Sequence, residues 1–160
     1  MNEFLNGVYE RIITMSSWEA LAVFLAIAYL LLAMRQSLWC WPAAFFSTLI
    51  YSVLFFDASL IMESVLNIYY LIMAVYGWYA WKYGSKLKEE LAVSSWNLAL
   101  HVKIIIILTL ISLLLGYVMD NYTSADFAYI DSATTVFAVF TTYMLAQKIL
   151  ENWLYWIVID

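Results

Sequence analysis

Long apolar runs separated by short polar stretches set the plan of this chain. Five of them, residues 18–34, 38–56, 59–81, 98–119 and 132–147, are long enough to cross a bilayer, which takes roughly 20 residues with a range of about 17–25. The first and last are at the short end of that range. Run 18–34 carries a single charge, Glu19, at its mouth, and run 38–56 holds Ser47, Thr48 and Ser52. Run 59–81 is the most polar, with Glu63, Ser64 and Asn67 among tyrosines, whereas 98–119, which contains Ile104 to Ile107, is the blandest. A sixth apolar stretch, 152–160, reaches about 14 Å at about 1.5 Å per residue, half of a hydrocarbon core about 30 Å thick. Its end would leave Asp160 deep in hydrocarbon, where an ionised group is expensive. The pattern therefore predicts a sixth span cut short, the alternative being a tail that lies along the interface.

Ahead of the first run, Phe4, Leu5, Val8, Tyr9, Ile12 and Ile13 recur at i, i+4 and i+8, which predicts a short helix lying on the outer surface over residues 1–17. Ser16-Ser17-Trp18-Glu19 reads as a capping box that opens the first span. Glu19 is accordingly a helix start rather than a catalytic group. The first residues lack the basic segment of a cleaved signal peptide, so the spans themselves drive insertion.

Composition agrees with that plan. Of the 160 residues 66% are hydrophobic and 12% charged, with a mean hydropathy of +0.85, against about 45–50% and about 25% in soluble domains. A soluble monomer of this size buries only about 70% of the surface its unfolded chain exposes, too little to hide so many apolar side chains. A net charge of −5 excludes a basic footprint for nucleic acid, and one cysteine, Cys40, excludes a disulfide scaffold. The seven basic residues are placed unevenly. Arg35, Lys82, Lys86, Lys88, Lys103 and Lys148 fall in or beside alternate loops, while Arg11, Asp57, Asp120, Asp126 and Asp131 fall on the other side. The positive-inside rule puts the first set in the cytoplasm and the N-terminus outside.

Residues 29–39 lie over 143–153 without a gap, matching at Tyr, Leu and Trp. Each copy is the end of an apolar span, a short polar turn with a basic residue, and the start of an aromatic-rich span. Both run from outside to inside, so the two units are parallel. Two three-helix units are parallel only if an extra helix separates them, and 98–119 supplies that inversion linker. The expected organisation is an all-α integral membrane protein on a 3+1+3 plan: an interfacial helix (1–17), a first three-helix repeat (18–81), a cytoplasmic loop (82–97), a linker transmembrane helix (98–119) and an incomplete second repeat (131–160). Completing the second copy takes roughly 35 more residues, and parallel repeats of this kind are a transporter architecture.

Polar groups inside the membrane are functional candidates by default. Glu63, Asn67 and Tyr70 fall at i, i+4 and i+7 on one helix face, and Trp153, Trp156 and Asp160 at i, i+3 and i+7 on another. A carboxylate beside aromatic faces suits a flat organic cation, which stacks on the rings and pairs with the charge. The plainer reading makes the tyrosines and tryptophans an interfacial belt, notably Trp18, Trp39, Trp78, Trp81 and Trp96 near span ends, and Asn67 a helix–helix hydrogen bond. His101, beside Lys103 at the rim, reads as a snorkelling side chain rather than a metal ligand. Asp120, Asp126 and Asp131 form a solvated acidic outer loop. No phosphate loop, metalloprotease motif or nucleophile elbow is present, so no cofactor is implied.

Two segments carry a resemblance. Tyr76-Gly-Trp-Tyr-Ala-Trp81 and Glu151-Asn-Trp-Leu-Tyr-Trp-Ile-Val-Ile-Asp160 resemble the PnuC family of bacterial vitamin transporters, and the similarity runs from about Ser17 to the end. The resemblance implies a seven-helix fold related to the sugar-transporting SWEET proteins, assembled as a homotrimer in the inner membrane. It further implies facilitated diffusion of nicotinamide riboside, trapped inside the cell by phosphorylation, with thiamin and riboflavin as cargoes of relatives. The family motif Trp-x-x-Trp-x-x-x-Asn maps onto Trp153, Trp156 and Asp160, where the final Asn is Asp. The family's glutamine on the third span maps onto Asn67, with Glu63 one turn earlier. Nicotinamide riboside and thiamin are both cationic, so an added carboxylate suits either, and the expected partner is a small cationic vitamin in a lipid bilayer. Two other classes stay open: a membrane enzyme using Glu63 or Asp160 as acid or base, and a structural subunit.

Overall fold

The computed structural model describes residues 16–57, 61–84, 91–123 and 127–159, without the side chains of 55–57 and 61–65. Every regular element among these residues is an α-helix: α1 Ser17–Met34, α2 Cys40–Asp57, α3 Ile61–Tyr83, α4 Leu98–Tyr122, α5 Ala128–Ala146 and α6 Asn152–Ile159. All five predicted spans form helices, and of the stretch 152–160 the described residues 152–159 form the short α6. Two of them, α1 and α4, are long and apolar enough to cross a membrane by length and composition. The expected interfacial helix over 1–17 lies almost wholly outside the described residues.

The helix ends follow local chemistry. Ser16 caps α1 by accepting the Glu19 N–H at 3.2 Å, as the capping box predicts. Asn97 does the same for α4, accepting the Leu100 N–H at 2.8 Å. Pro42 sits in the first turn of α2, where its missing N–H has no intrahelical partner to lose. At the far end of α4, the Thr123 N–H and hydroxyl both donate to Met119 O, at 2.9 and 2.7 Å, which carries the helix beyond the predicted stop at 119. The fifth span also starts earlier than predicted, at Ala128, with Asp131 in its first turn, where a carboxylate suits the positive end of the helix dipole.

The chain divides into two compact units, 1–75 and 76–160. In the first, α1 and α2 pack as a hairpin across small buried residues, Ala22, Ala33, Cys40, Ala43 and Ser47. The Ser47 hydroxyl donates to Ala22 O at 2.9 Å and ties the pair together. Small residues let backbones approach, which is how helices hold each other where lipid removes the hydrophobic drive between them. In the second unit α5 packs against both α4 and α6. Leu108, Ser112, Gly116 and Met119 form the buried stripe of α4. A Cβ on Gly116 would stand 2.6 Å from Tyr129 Cδ1, so glycine sets the close approach of α4 to α5. The remaining faces carry large exposed apolar side chains, among them Leu98, Leu110, Leu114, Ile157 and Val158. Surfaces of this kind on a monomer mark a lipid-facing or partner-facing protein.

The turns after α1 and α5 share one backbone conformation. Arg35 and Gln147 are the C-caps, and Gln36 and Lys148 follow with φ of 57° and 52°. Ser37 donates to Leu32 O and Ile149 to Met144 O, and then Cys40 to Ser37 O and Asn152 to Ile149 O. Both of these bonds in the first turn recur 112 residues later, whereas the sequence match superposed Tyr29 on Tyr143, 114 residues apart. The backbone therefore pairs Trp41, not Trp39, with Trp153. The left-handed residue sets the turn, and neither copy marks it with a glycine.

Candidate functional site

The first group of expected site residues lies on α3. Asn67 is buried at 9% exposure, and Tyr70 is half-buried with its ring 5.9 Å from that of Tyr69. The backbone of Glu63 is helical, while its side chain lies outside the described residues. The second group lies on α6, in the other unit, where Trp153 and Trp156 are half-buried. Asp160 lies outside the described residues. Of the tryptophans near span ends, Trp18 and Trp39 are exposed as a belt requires, but Trp81 is only 2% exposed. That corrects the belt reading for Trp81. Its indole N–H donates to Leu145 O at 3.2 Å, and Lys148 Nζ lies 4.4 Å from its ring centroid.

Trp81 belongs to a clasp at the basic end of the second unit. Trp81 O accepts the Leu91 N–H at 3.2 Å. Ser94 then forms a parallel bridge with Ile149, its N–H donating to Lys148 O at 3.0 Å and its O accepting from Leu150 at 2.9 Å. Gln147 Nε2 reaches Tyr76 OH at 2.7 Å. The segment between α3 and α4 is thus pinned to the turn between α5 and α6.

The clasp delivers Glu151 to the start of α4. Its carboxylate accepts from the Ser95 hydroxyl and, at 3.4 Å, from the Trp96 N–H, with His101 Nε2 at 3.8 Å. The Ser95 hydrogen bond, ahead of the backbone N–H groups of Glu151 and Trp96, holds the Glu151 carboxyl below the usual range of a glutamate. His101 is 8% exposed, and its Nδ1 is 2.9 Å from Tyr155 OH on α6. This corrects the expectation of a snorkelling histidine: its ring turns inward because Tyr155 and Glu151 supply polar partners there. The rings continue outward on both sides, His101 to Trp96 at 6.0 Å, Trp96 to Phe140 at 6.2 Å, His101 to Tyr155 at 5.7 Å and Tyr155 to Phe137 at 6.5 Å. Trp96, His101, Phe137, Glu151 and Tyr155 line a groove of about 710 Å³ along α4, α5 and α6, continued by Ile105, Thr134 and Val158. Sequence reading missed the cluster because His101 stands some fifty residues from Glu151 and Tyr155. At about 100° per residue, Trp153 and Trp156 fall on the side of α6 roughly opposite Glu151, Tyr155 and Val158. Among the described residues no group of acidic, histidine or cysteine side chains is arranged to hold a metal ion.

Apolar helices with exposed faces and polar groups buried among them are consistent with an all-helical membrane protein. The model of one family, described as nicotinamide mononucleotide transporter, matches residues 16–160, and the chain belongs to that family. It agrees with the resemblance carried by residues 76–81 and 151–160. Among curated relatives, the chain is similar to the "Nicotinamide riboside transporter PnuC" of Escherichia coli K12 and to the protein of the same description from Shigella flexneri. Each is 24% identical over 136 residues, covering 69% of this chain and 57% of the relative. The chain thus spans little more than half the length of these relatives. No solved structure matches it.

Proposed function

We propose that the protein carries nicotinamide riboside across the bacterial inner membrane by facilitated diffusion, with phosphorylation inside the cell trapping the solute. The observation that carries this reading is the family match over residues 16–160, joined by relatives described as nicotinamide riboside transporters. Glu63, Asn67, Tyr70, Trp153, Trp156 and Asp160 are the proposed solute contacts. Tryptophan and tyrosine faces stack on a pyridinium ring, carboxylates neutralise its charge, and the Asn67 amide serves its polar substituents. The proposal includes parallel three-helix repeats joined by α4, to which the shared turns at Gln36 and Lys148 lend support. It also includes an N-terminus outside and a homotrimeric assembly. The reading assigns no covalent chemistry to any residue.

Thiamin is the second cargo to be weighed, because Glu63 and Asp160 suit its thiazolium charge equally well. Uptake of labelled nicotinamide riboside and labelled thiamin by vesicles holding the native protein separates the two. Saturable entry of nicotinamide riboside, lowered at least tenfold by Asn67→Ala or Trp156→Ala in folded variants, is the expected result. Entry of thiamin alone moves the assignment to thiamin, and entry of neither overturns it.

A further inference from the structure

The groove beside Glu151 is not the face of α6 that carries Trp153 and Trp156, and the solute contacts proposed above leave it unused. Its chemistry is nonetheless specific. At about 710 Å³ it is within the range of about 300–1,000 Å³ typical of small-molecule sites. Its walls include the rings of Trp96, Phe137 and Tyr155, and Glu151 supplies a carboxylate. The His101 ring lines the groove, while its Nε2 is enclosed within the protein with Glu151 Oε2 3.8 Å away.

We propose that this groove is a second binding station for the cationic heterocycle, with Glu151 as counter-ion, Trp96, Phe137 and Tyr155 as stacking walls, and the His101 ring beside them. The inference rests on the transporter reading and extends it to the basic end of the helices. Charge complementarity selects the occupant. An apolar groove alone accepts a lipid chain, but one that ends on a carboxylate flanked by ring faces favours a flat cation over a neutral ring of the same shape. The carboxylate is available to pair because the clasp fixes it: Ser95 and the Trp96 N–H hold it in place, and the hydrogen bond from Ser95 favours its ionised form.

His101 is the only histidine in the chain, so isotope-labelled histidine reports this groove alone by NMR. The native protein, purified without a histidine tag into lipid nanodiscs, is titrated with nicotinamide riboside and separately with its uncharged dihydro form. The expected result is a saturable shift of the His101 ring signals with the cation, an affinity at least tenfold weaker for the neutral form, and a similar weakening in Glu151→Gln. That variant keeps one acceptor oxygen for the Trp96 N–H and an amide group able to donate to the Ser95 hydroxyl, and the backbone bonds of the clasp do not involve its side chain. Phe137→Ala, which lies outside the clasp, is expected to weaken binding three- to tenfold by removing a wall. Signals unmoved by the cation overturn the proposal, as does equal response to both forms with no effect of Glu151→Gln. Signals that follow lipid composition but not the solute assign the groove to acyl chains and likewise overturn it. Vesicle uptake distinguishes the two levels: transport with a silent His101 defeats the groove alone, whereas a His101 response without transport supports the groove and defeats the transporter reading.

Discussion

The contact of Lys148 with Trp81 offers the sharpest energetic test of the clasp. Both side chains are buried, at 7% and 2% exposure, with the ammonium 4.4 Å from the ring centroid. Cation–π pairs contribute about 0.5–1 kcal/mol when exposed and about 2 when desolvated, so this one is at the upper end. Trp81→Phe also deletes the hydrogen bond from the indole N–H to Leu145 O, a net loss of about 0.5–1.5 kcal/mol. The carbonyl is not orphaned, because the Lys148 N–H donates to it at 3.0 Å, and the larger penalty of an unsatisfied group does not apply. Together the terms predict a cost of about 2–3 kcal/mol for Trp81→Phe, since phenylalanine keeps only part of the cation–π attraction. Lys148→Met is expected to cost about 1–2 kcal/mol. Lys148 has other neighbours, so the singles do not isolate the pair and the double-mutant cycle does. Equilibrium unfolding of all four proteins in mixed micelles, followed by far-UV circular dichroism, should give a coupling of about 1 kcal/mol or more. Additivity within about 0.5 kcal/mol would refute the argument that this pair fastens the turn after α5.

Three further outcomes are expected. Gly116→Ala should destabilise the second unit by about 1–3 kcal/mol, because the new Cβ would meet Tyr129 Cδ1 at 2.6 Å and its Cα at 3.0 Å; an unchanged unfolding midpoint would show that α4 and α5 are not in close contact there. Gln36→Gly should stabilise by about 1 kcal/mol, because residue 36 has φ 57° and only glycine occupies that region without steric cost. It also removes a buried side-chain oxygen with no partner, and a loss of stability in the same titration would count against the turn. The third concerns pH. Because the Glu151 carboxyl is held below its usual range in the folded chain, its contribution is complete above the unfolded value of about 4.3 and fades as pH falls through the lower folded value. Hydrogen exchange at the Trp96 amide, corrected for intrinsic rate, should show constant protection from pH 7 to about 4.5 and loss below it. Protection already fading between pH 7 and 5 contradicts this account of the carboxylate.

What the chain determines by itself is its solvent and its helices. Runs such as 18–34 and 98–119 specify α1 and α4 because hydropathy and capping are properties of contiguous residues, and Ser16 is bonded as its position implies. The family was legible for a similar reason, since 76–81 and 151–160 are unbroken motifs. Tertiary structure alone decided which side chains meet. His101 turned inward because Tyr155 and Glu151 arrive from a turn some fifty residues away, and Trp81 left the interfacial belt because Leu145 and Lys148 cover it. The register of the two similar turns followed backbone dihedrals at Gln36 and Lys148, which share no residue type, rather than the matching tyrosines. Helix formation is local in sequence, whereas partner choice depends on how far each helix is rotated when it packs, and no short window of residues encodes that angle.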